Sequence, residues 1–296
     1  MNRGSLFLLA GSLFALGGLL MFLGQVARRA GPALRRADGT KYVVYVAVIG
    51  GLLAVLEFSR ILAAVFLSAI AVGGARELYA NLRHRGIARA GLAALFGLFV
   101  AVSLGHLLWG PCGAALVLLV ATCDSFSQLW GRLLGRHPLC PGISPAKTVE
   151  GCLGGVVMTL RAAALAGAVL PGLPLGRRIV LGVVVAGGAI VGDLAFSSLK
   201  RRLGIKDFGS TLPGHGGLLD RFDSLIVAAP LGTWVLRWVF SGSGVGYDLS
   251  EFVFLDQPVK KRPLQSQLLG GLGLVAGVAG EGPRDVVPAE VLNGIP

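Results

Sequence analysis

The sequence predicts an all-α, polytopic integral membrane bundle of about eight transmembrane helices. Of its 296 residues 54% are hydrophobic and only 14% charged, against about 25% charged in soluble domains. The apolar residues fall in runs close to the roughly 20 that cross a bilayer. The Lys and Arg residues gather between those runs. A net charge of +12 would suggest a nucleic-acid partner for a soluble protein. Interleaved with apolar runs, it fits instead the positive excess of cytoplasmic loops and attraction to anionic lipid; no nucleic-acid partner is expected.

Taken in order, Ser5 to Gln25 is a first span. It reads as a retained helix, because only Arg3 precedes it and no small-x-small cleavage site follows. The stretch Val26 to Lys41 carries Arg28, Arg29, Arg35, Arg36 and Lys41 and reads as a cytoplasmic loop. Tyr42 to Tyr79 is too long for one crossing and divides into two at Glu57-Phe58-Ser59-Arg60. Arg76, Arg83, Arg85 and Arg89 mark a second cytoplasmic loop, with Glu77 beside Arg76 as an interfacial pair.

Ala90 to Trp109 is a fourth span, and Gly110-Pro111-Cys112-Gly113 a turn on the far side. Ala114 to Leu134 is a fifth, with Asp124 well inside it and Ser125, Ser127 and Gln128 following. The loop from Gly135 to Glu150 holds three prolines and is expected to be irregular and cytoplasmic. A sixth span runs from Gly151 to Leu170, with Arg161 toward the bundle interior, and a seventh from Ile179 to Ser198. The eighth follows a polar loop and covers Leu225 to Phe240. These runs divide the chain into amino-terminal helices (1–110), a catalytic membrane region (111–240) and a flexible or interfacial tail (241–296).

The polar residues that need a reason lie between Ser197 and Asp223. Ionisable groups near a bilayer core are costly, so a cluster of them marks a functional site. A loop that only orients helices needs Lys and Arg; this one adds Asp207, Asp220, Asp223, the Ser197 hydroxyl and the turn His215-Gly216-Gly217. Asp193, Ser197, Lys200 and Arg201 stand at offsets of four, seven and eight, on one helical face. Asp220 and Asp223, three apart, share a face of the next helix.

Cys112, Cys123, Cys140 and Cys152 have no CxxC spacing, and His84, His106, His137 and His215 no HExxH spacing. Disulfide frameworks and zinc sites are therefore unsupported. Carboxylates without thiol or imidazole partners suit Mg²⁺, held by one or two carboxylates plus substrate phosphates; Asp193 and Asp220 are the expected pair. Lys200, Arg201, Lys206 and Arg221 supply charge for phosphate oxygens. Gly216 and Gly217 allow backbone amides close to a phosphate. Acids, bases and glycines in this arrangement point to phosphoryl or nucleotidyl transfer, where positioning and charge neutralisation do most of the work. A membrane location makes a lipid phosphate the natural acceptor, with His215 a donor to phosphate rather than a base.

The stretch Ser197, Leu199, Lys200, Arg201, Lys206, Asp207, Gly209, Leu212, Pro213, His215, Gly216, Gly217, Leu218, Asp220, Arg221, Phe222 and Asp223 resembles the signature of the phosphatidate cytidylyltransferase (CDP-diacylglycerol synthase) family. Upstream, Asp124-Ser125, Gly131-Arg132, Gly135, Pro141, Ser144-Pro145, Lys147-Thr148, Glu150-Gly151 and Gly192-Asp193 resemble its other polar segments. Phe126-Ser127-Gln128 and Val149 depart from the family's usual residues. The resemblance implies an all-helical membrane enzyme, commonly a homodimer, that joins CTP to phosphatidate and releases pyrophosphate. It implies catalytic roles for Lys200, Arg201, Lys206, Asp207, His215, Arg221 and Asp223, and substrate binding by Asp124, Ser144, Lys147, Thr148, Gly216 and Gly217. It also implies a Mg²⁺ centre, with K⁺, at Asp193, Ser197 and Asp220, facing the cytoplasm. Transfer onto another lipid phosphate, such as an isoprenoid one, is the near alternative. An ion-coupled transporter using Asp124 and Asp193 is the alternative of a different class.

Overall fold

The computed structural model describes residues 3–27, 29, 31–82, 97, 112–170, 172–209 and 216–241. The expected fourth span, Arg83, Arg85 and Arg89, His215, and the tail beyond residue 241 lie outside the described residues. Seven helices are described: α1 Arg3–Ala27, α2 Pro32–Phe58, α3 Arg60–Leu82, α4 Gly113–Leu134, α5 Val149–Leu165, α6 Leu175–Leu203 and α7 Leu219–Ser241. Among them α1, α2, α3, α4 and α6 are long and apolar enough to cross a membrane. The all-α membrane bundle is thus borne out; the described residues, which leave out the expected fourth span, give five such helices and do not confirm the count of eight.

The bundle is built around α4. From Gly113 through Cys123 every residue of α4 is buried, as expected of a helix that is apolar all round. The helices α1, α2, α5, α6 and α7 all touch it. Outer faces carry apolar side chains such as Leu8, Ile61, Val72 and Leu165 in the open, where lipid is the solvent they suit.

Glycine sets how close the site-bearing helices come. A Cβ on Gly155 of α5 would lie 2.0 Å from Ser127 Oγ of α4, and one on Gly192 of α6 would lie 2.9 Å from the Asp223 carbonyl of α7. With Gly151 and Gly188 one turn earlier, each helix presents a small-x3-small ridge, the usual means of close backbone contact in membranes. Two tight pairs, α4 with α5 and α6 with α7, therefore bring their polar residues within reach of one another.

Several boundaries differ from expectation. The helix after the first span begins at Pro32, ten residues before Tyr42, so Arg35, Arg36 and Lys41 lie on α2 rather than in a loop. Proline at the first helical position has its backbone angle already set and gives up no needed N–H. The break at Ser59 is as expected; its extended backbone (φ −151°, ψ 111°) separates α2 from α3. Residues 138–148 are not irregular: β1 Pro138–Cys140 and β2 Ser144–Thr148 form an antiparallel hairpin with a bulge. Arg161 is exposed rather than turned inward. The helix α6 runs past Ser198 to Leu203 and carries Lys200 and Arg201 in its last turn. It ends because Gly204 takes a left-handed conformation (φ +69°) and the Gly204 and Ile205 amides cap the Arg201 and Lys200 carbonyls.

Candidate active site

The hairpin folds over the end of α4 and is pinned there by its last residues. Thr148 caps α5, its Oγ1 accepting from the Gly151 amide at 3.2 Å. Glu150 reaches back and accepts from the Arg136 amide at 3.0 Å, the His137 amide at 3.2 Å and the His137 ring. Those bonds favour the ionised form, and they hold the Glu150 carboxyl down at about 2. From α6, Arg201 Nε donates to the Ile143 carbonyl at the hairpin turn, 3.1 Å away.

Beneath the hairpin lies a cavity of about 440 Å³, within the usual range for ligand sites. Its walls are mixed, with Leu139, Ile190 and Leu194 beside a polar set: Asp124, Ser127, Gln128 and Arg132 from α4, Ser144, Lys147 and Thr148 from the hairpin, Asp193 from α6, and Asp223 and Ser224 from α7. The Lys147 ammonium is ion-paired with Asp193 Oδ2. Asp223 is buried and its Oδ1 accepts from the Ser224 amide at 2.8 Å. Asp193 and Asp223 lie close enough for their charges to act on each other, and Asp124 feels both.

The structure thus joins Asp124, Ser144, Lys147, Thr148, Asp193 and Asp223 in one cavity. It places Asp220 differently from the expectation that paired it with Asp193. Asp220 does not line this cavity. Its Oδ1 meets the Lys200 ammonium at 2.8 Å, and its Oδ2 accepts from the Phe208 amide at 2.8 Å and the Gly217 amide at 3.0 Å. Both oxygens are committed to closing the loop between α6 and α7, and the α7 carboxylate that lines the cavity with Asp193 is Asp223, one turn further along. Ser197 is buried within α6. Lys206, Asp207 and Arg221 are exposed; Asp207 lies beside Gly216.

Sequence reasoning missed Glu77. It is buried, and instead of resting at an interface with Arg76 it reaches from α3 to the start of α7. Its Oε1 accepts from the Leu218 amide at 2.9 Å and its Oε2 from the Leu219 amide at 3.1 Å. A Cβ on Gly217 would come within 2.5 Å of that carboxylate, so the second glycine of the turn makes room for it. One turn on, Asn81 Nδ2 donates to the Phe208 carbonyl at 2.8 Å. An acid in an otherwise apolar run was the available signal.

Oxygen donors make up most of the cavity's polar side chains, and such a set fits Mg²⁺. Among the described residues no three His, Cys, Asp or Glu side chains form a ready-made metal cage. Mg²⁺ does not require one, since it keeps waters and takes one or two carboxylates together with substrate phosphates.

Residues 111–239 match the cytidylyltransferase family. The match covers less than half of the chain. The chain is 41% identical over 130 residues to the uncharacterized protein YnbB of Escherichia coli, covering 43% of this chain and 44% of that protein. It is 40% identical over 115 residues to the phosphatidate cytidylyltransferase of Staphylococcus saprophyticus and 42% over 116 residues to that of Staphylococcus aureus, in each case 38% of this chain and 44% of the relative. The chain therefore spans less than half the length of the curated relatives it matches. Asp124, Lys147, Asp193, Lys200, Asp220 and Asp223 all fall inside the matched segment, whereas Glu77 and Asn81 lie outside it. The match gives no support to the transporter alternative.

Proposed function

We propose that the protein transfers CMP from CTP to phosphatidate, giving CDP-diacylglycerol and pyrophosphate for phospholipid synthesis, at a site facing the cytoplasm. One observation carries the reading: within the cytidylyltransferase segment, Lys147 and Asp193 meet in a 440 Å³ cavity that Arg132, Asp124 and Asp223 also line.

The reaction needs little covalent help. A lipid phosphate is already an anion near neutral pH, so its oxygen attacks the α-phosphorus without a general base. One phosphorus–oxygen bond forms, the bond between the α-phosphorus and the bridging oxygen breaks, and that oxygen leaves on pyrophosphate. The protein's task is to hold two anions together. Lys147 and Arg132 line the cavity and would bind phosphate oxygens, the arginine in bidentate fashion.

Asp193 and Asp223 would hold Mg²⁺, which supplies charge neutralisation for the triphosphate. Asp220 reaches a cation only by releasing Lys200; in the observed arrangement it positions the loop between α6 and α7. The test is pyrophosphate release by purified protein given CTP, Mg²⁺ and a panel of lipid phosphates. Release with phosphatidate is expected. Release only with an isoprenoid phosphate would change the acceptor, and none with any lipid would overturn the proposal.

A further inference from the structure

A second cavity, of about 560 Å³, lies between α1, α2 and α4, where α7 also reaches it through Arg221. Along α2 its lining passes from Asp38 and Lys41 at one end, through Tyr42 and Tyr45, to Val44 and Val48 at the other. Ten residues at 1.5 Å each make that gradient about 15 Å long. Leu13 and Met21 of α1 complete the apolar part.

Three cations line the charged end: Lys41, Arg132 and Arg221. Asp38 opposes them, its Oδ1 already met by Arg132 Nη1 at 3.4 Å; the second carboxylate, Asp124, lies two turns back along α4, next to the Ser125 hydroxyl that Tyr45 of α2 meets at 3.2 Å. A positive end continuous with an apolar slot matches one ligand shape, an anionic head on a hydrocarbon chain. Val44, which lines the slot, is 37% exposed.

Asp124, Gln128 and Arg132 line both cavities. Spaced by four, they form one stripe along α4, the wall common to the two spaces. We propose that the second cavity seats the acceptor lipid: its chain lies along Leu13, Val44 and Val48, and its phosphate lies at Lys41, Arg221 and Arg132, the last of which both cavities share, so that it meets the nucleotide there. This rests on the transfer reading above for its acceptor, a phosphomonoester lipid. It assigns acceptor selection to helices α1 and α2, outside the cytidylyltransferase segment.

The test uses the full chain in detergent micelles and a phosphatidate carrying a photoreactive diazirine on its acyl chain. After irradiation, labelled peptides are mapped by mass spectrometry in the presence of unlabelled phosphatidate, diacylglycerol or glycerol 3-phosphate. Label within residues 13–21 and 44–48, displaced by phosphatidate and by neither of the others, is the expected result. Label confined to other helices overturns the proposal. Displacement by diacylglycerol removes the phosphate recognition, and displacement by glycerol 3-phosphate makes the site one for a free phosphate; either overturns it as well. In parallel, Lys41→Gln should raise the KM for phosphatidate about tenfold and leave the KM for CTP unchanged. Mapped label at α1 and α2 without any pyrophosphate release would sink the transfer reading and keep the lipid site, so the two failures are distinct.

Discussion

The carboxylate of Glu77, on α3, accepts a hydrogen bond from the Leu218 amide at 2.9 Å. With the Leu219 amide as its second partner, it occupies the place of a cap at the N-terminus of α7, where negative charge is favoured. The turn that carries the signature glycines is thereby tied to a helix outside the matched segment.

Glu77→Ala strands two amide donors beside Gly217, one part-buried and one buried. Hydrogen bonds to a charged acceptor are worth about 1.5–3 kcal/mol each, so thermal unfolding in detergent should show a loss on the order of 3 kcal/mol. Glu77→Gln, which keeps one acceptor oxygen, should lose about half as much. Unchanged unfolding of Glu77→Ala would mean that the clamp does not hold the turn.

The Lys200–Asp220 pair is nearly closed to solvent, with side chains 12% and 5% exposed. Removing one member of a buried pair leaves an uncompensated charge and costs about 3–5 kcal/mol. Lys200→Ala should therefore lower stability as well as turnover, measured by unfolding in detergent. A Lys200→Ala protein of full stability and reduced turnover would return Lys200 to a purely phosphate-handling role.

Much of this was legible in the sequence. The extents of α1 and α4, the break at Ser59 and the clustering of Asp193 with the Ser197–Asp223 stretch follow from apolar run length and from the cost of charge near lipid. The hairpin was not legible, because Pro138, Pro141 and Pro145 argue for irregular backbone and its pairing is fixed by the Glu150 and Thr148 anchors at the mouth of α5. The Glu77 clamp joins residues 141 positions apart, beyond any local pattern. Asp220 lies against Lys200 rather than Asp193: helical spacing puts Asp220 and Asp223 on one face without saying which of the two the Lys200 ammonium will reach.

Close packing of α4 on α5 gives a third expectation. A side chain on Gly155 collides with Ser127 Oγ and with the Cys123 carbonyl, and overpacking costs about 1–3 kcal/mol. Gly155→Val should show that loss in unfolding and should also reduce turnover, because Ser127 lines the cavity. Full stability in Gly155→Val would show that the two helices separate freely.

Glu150 supplies a pH dependence. Its carboxyl is held down at about 2, chiefly by the Arg136 amide and then by the His137 ring. A depressed carboxyl stabilises the fold above its ordinary value near 4.5, and the contribution fades as pH falls toward 2. The stability difference between wild type and Glu150→Gln, measured by unfolding across this range, should therefore be largest above pH 5 and shrink as pH falls. A difference that stays constant with pH would detach the hairpin from this carboxylate.

The most direct test follows the label of CTP carrying ³²P in its α-phosphate into chloroform-soluble lipid, for wild type and for Asp193→Asn. The account predicts labelled CDP-diacylglycerol from wild type, and essentially none from an Asp193→Asn protein that unfolds at the wild-type temperature. Equal labelling by the two would contradict it.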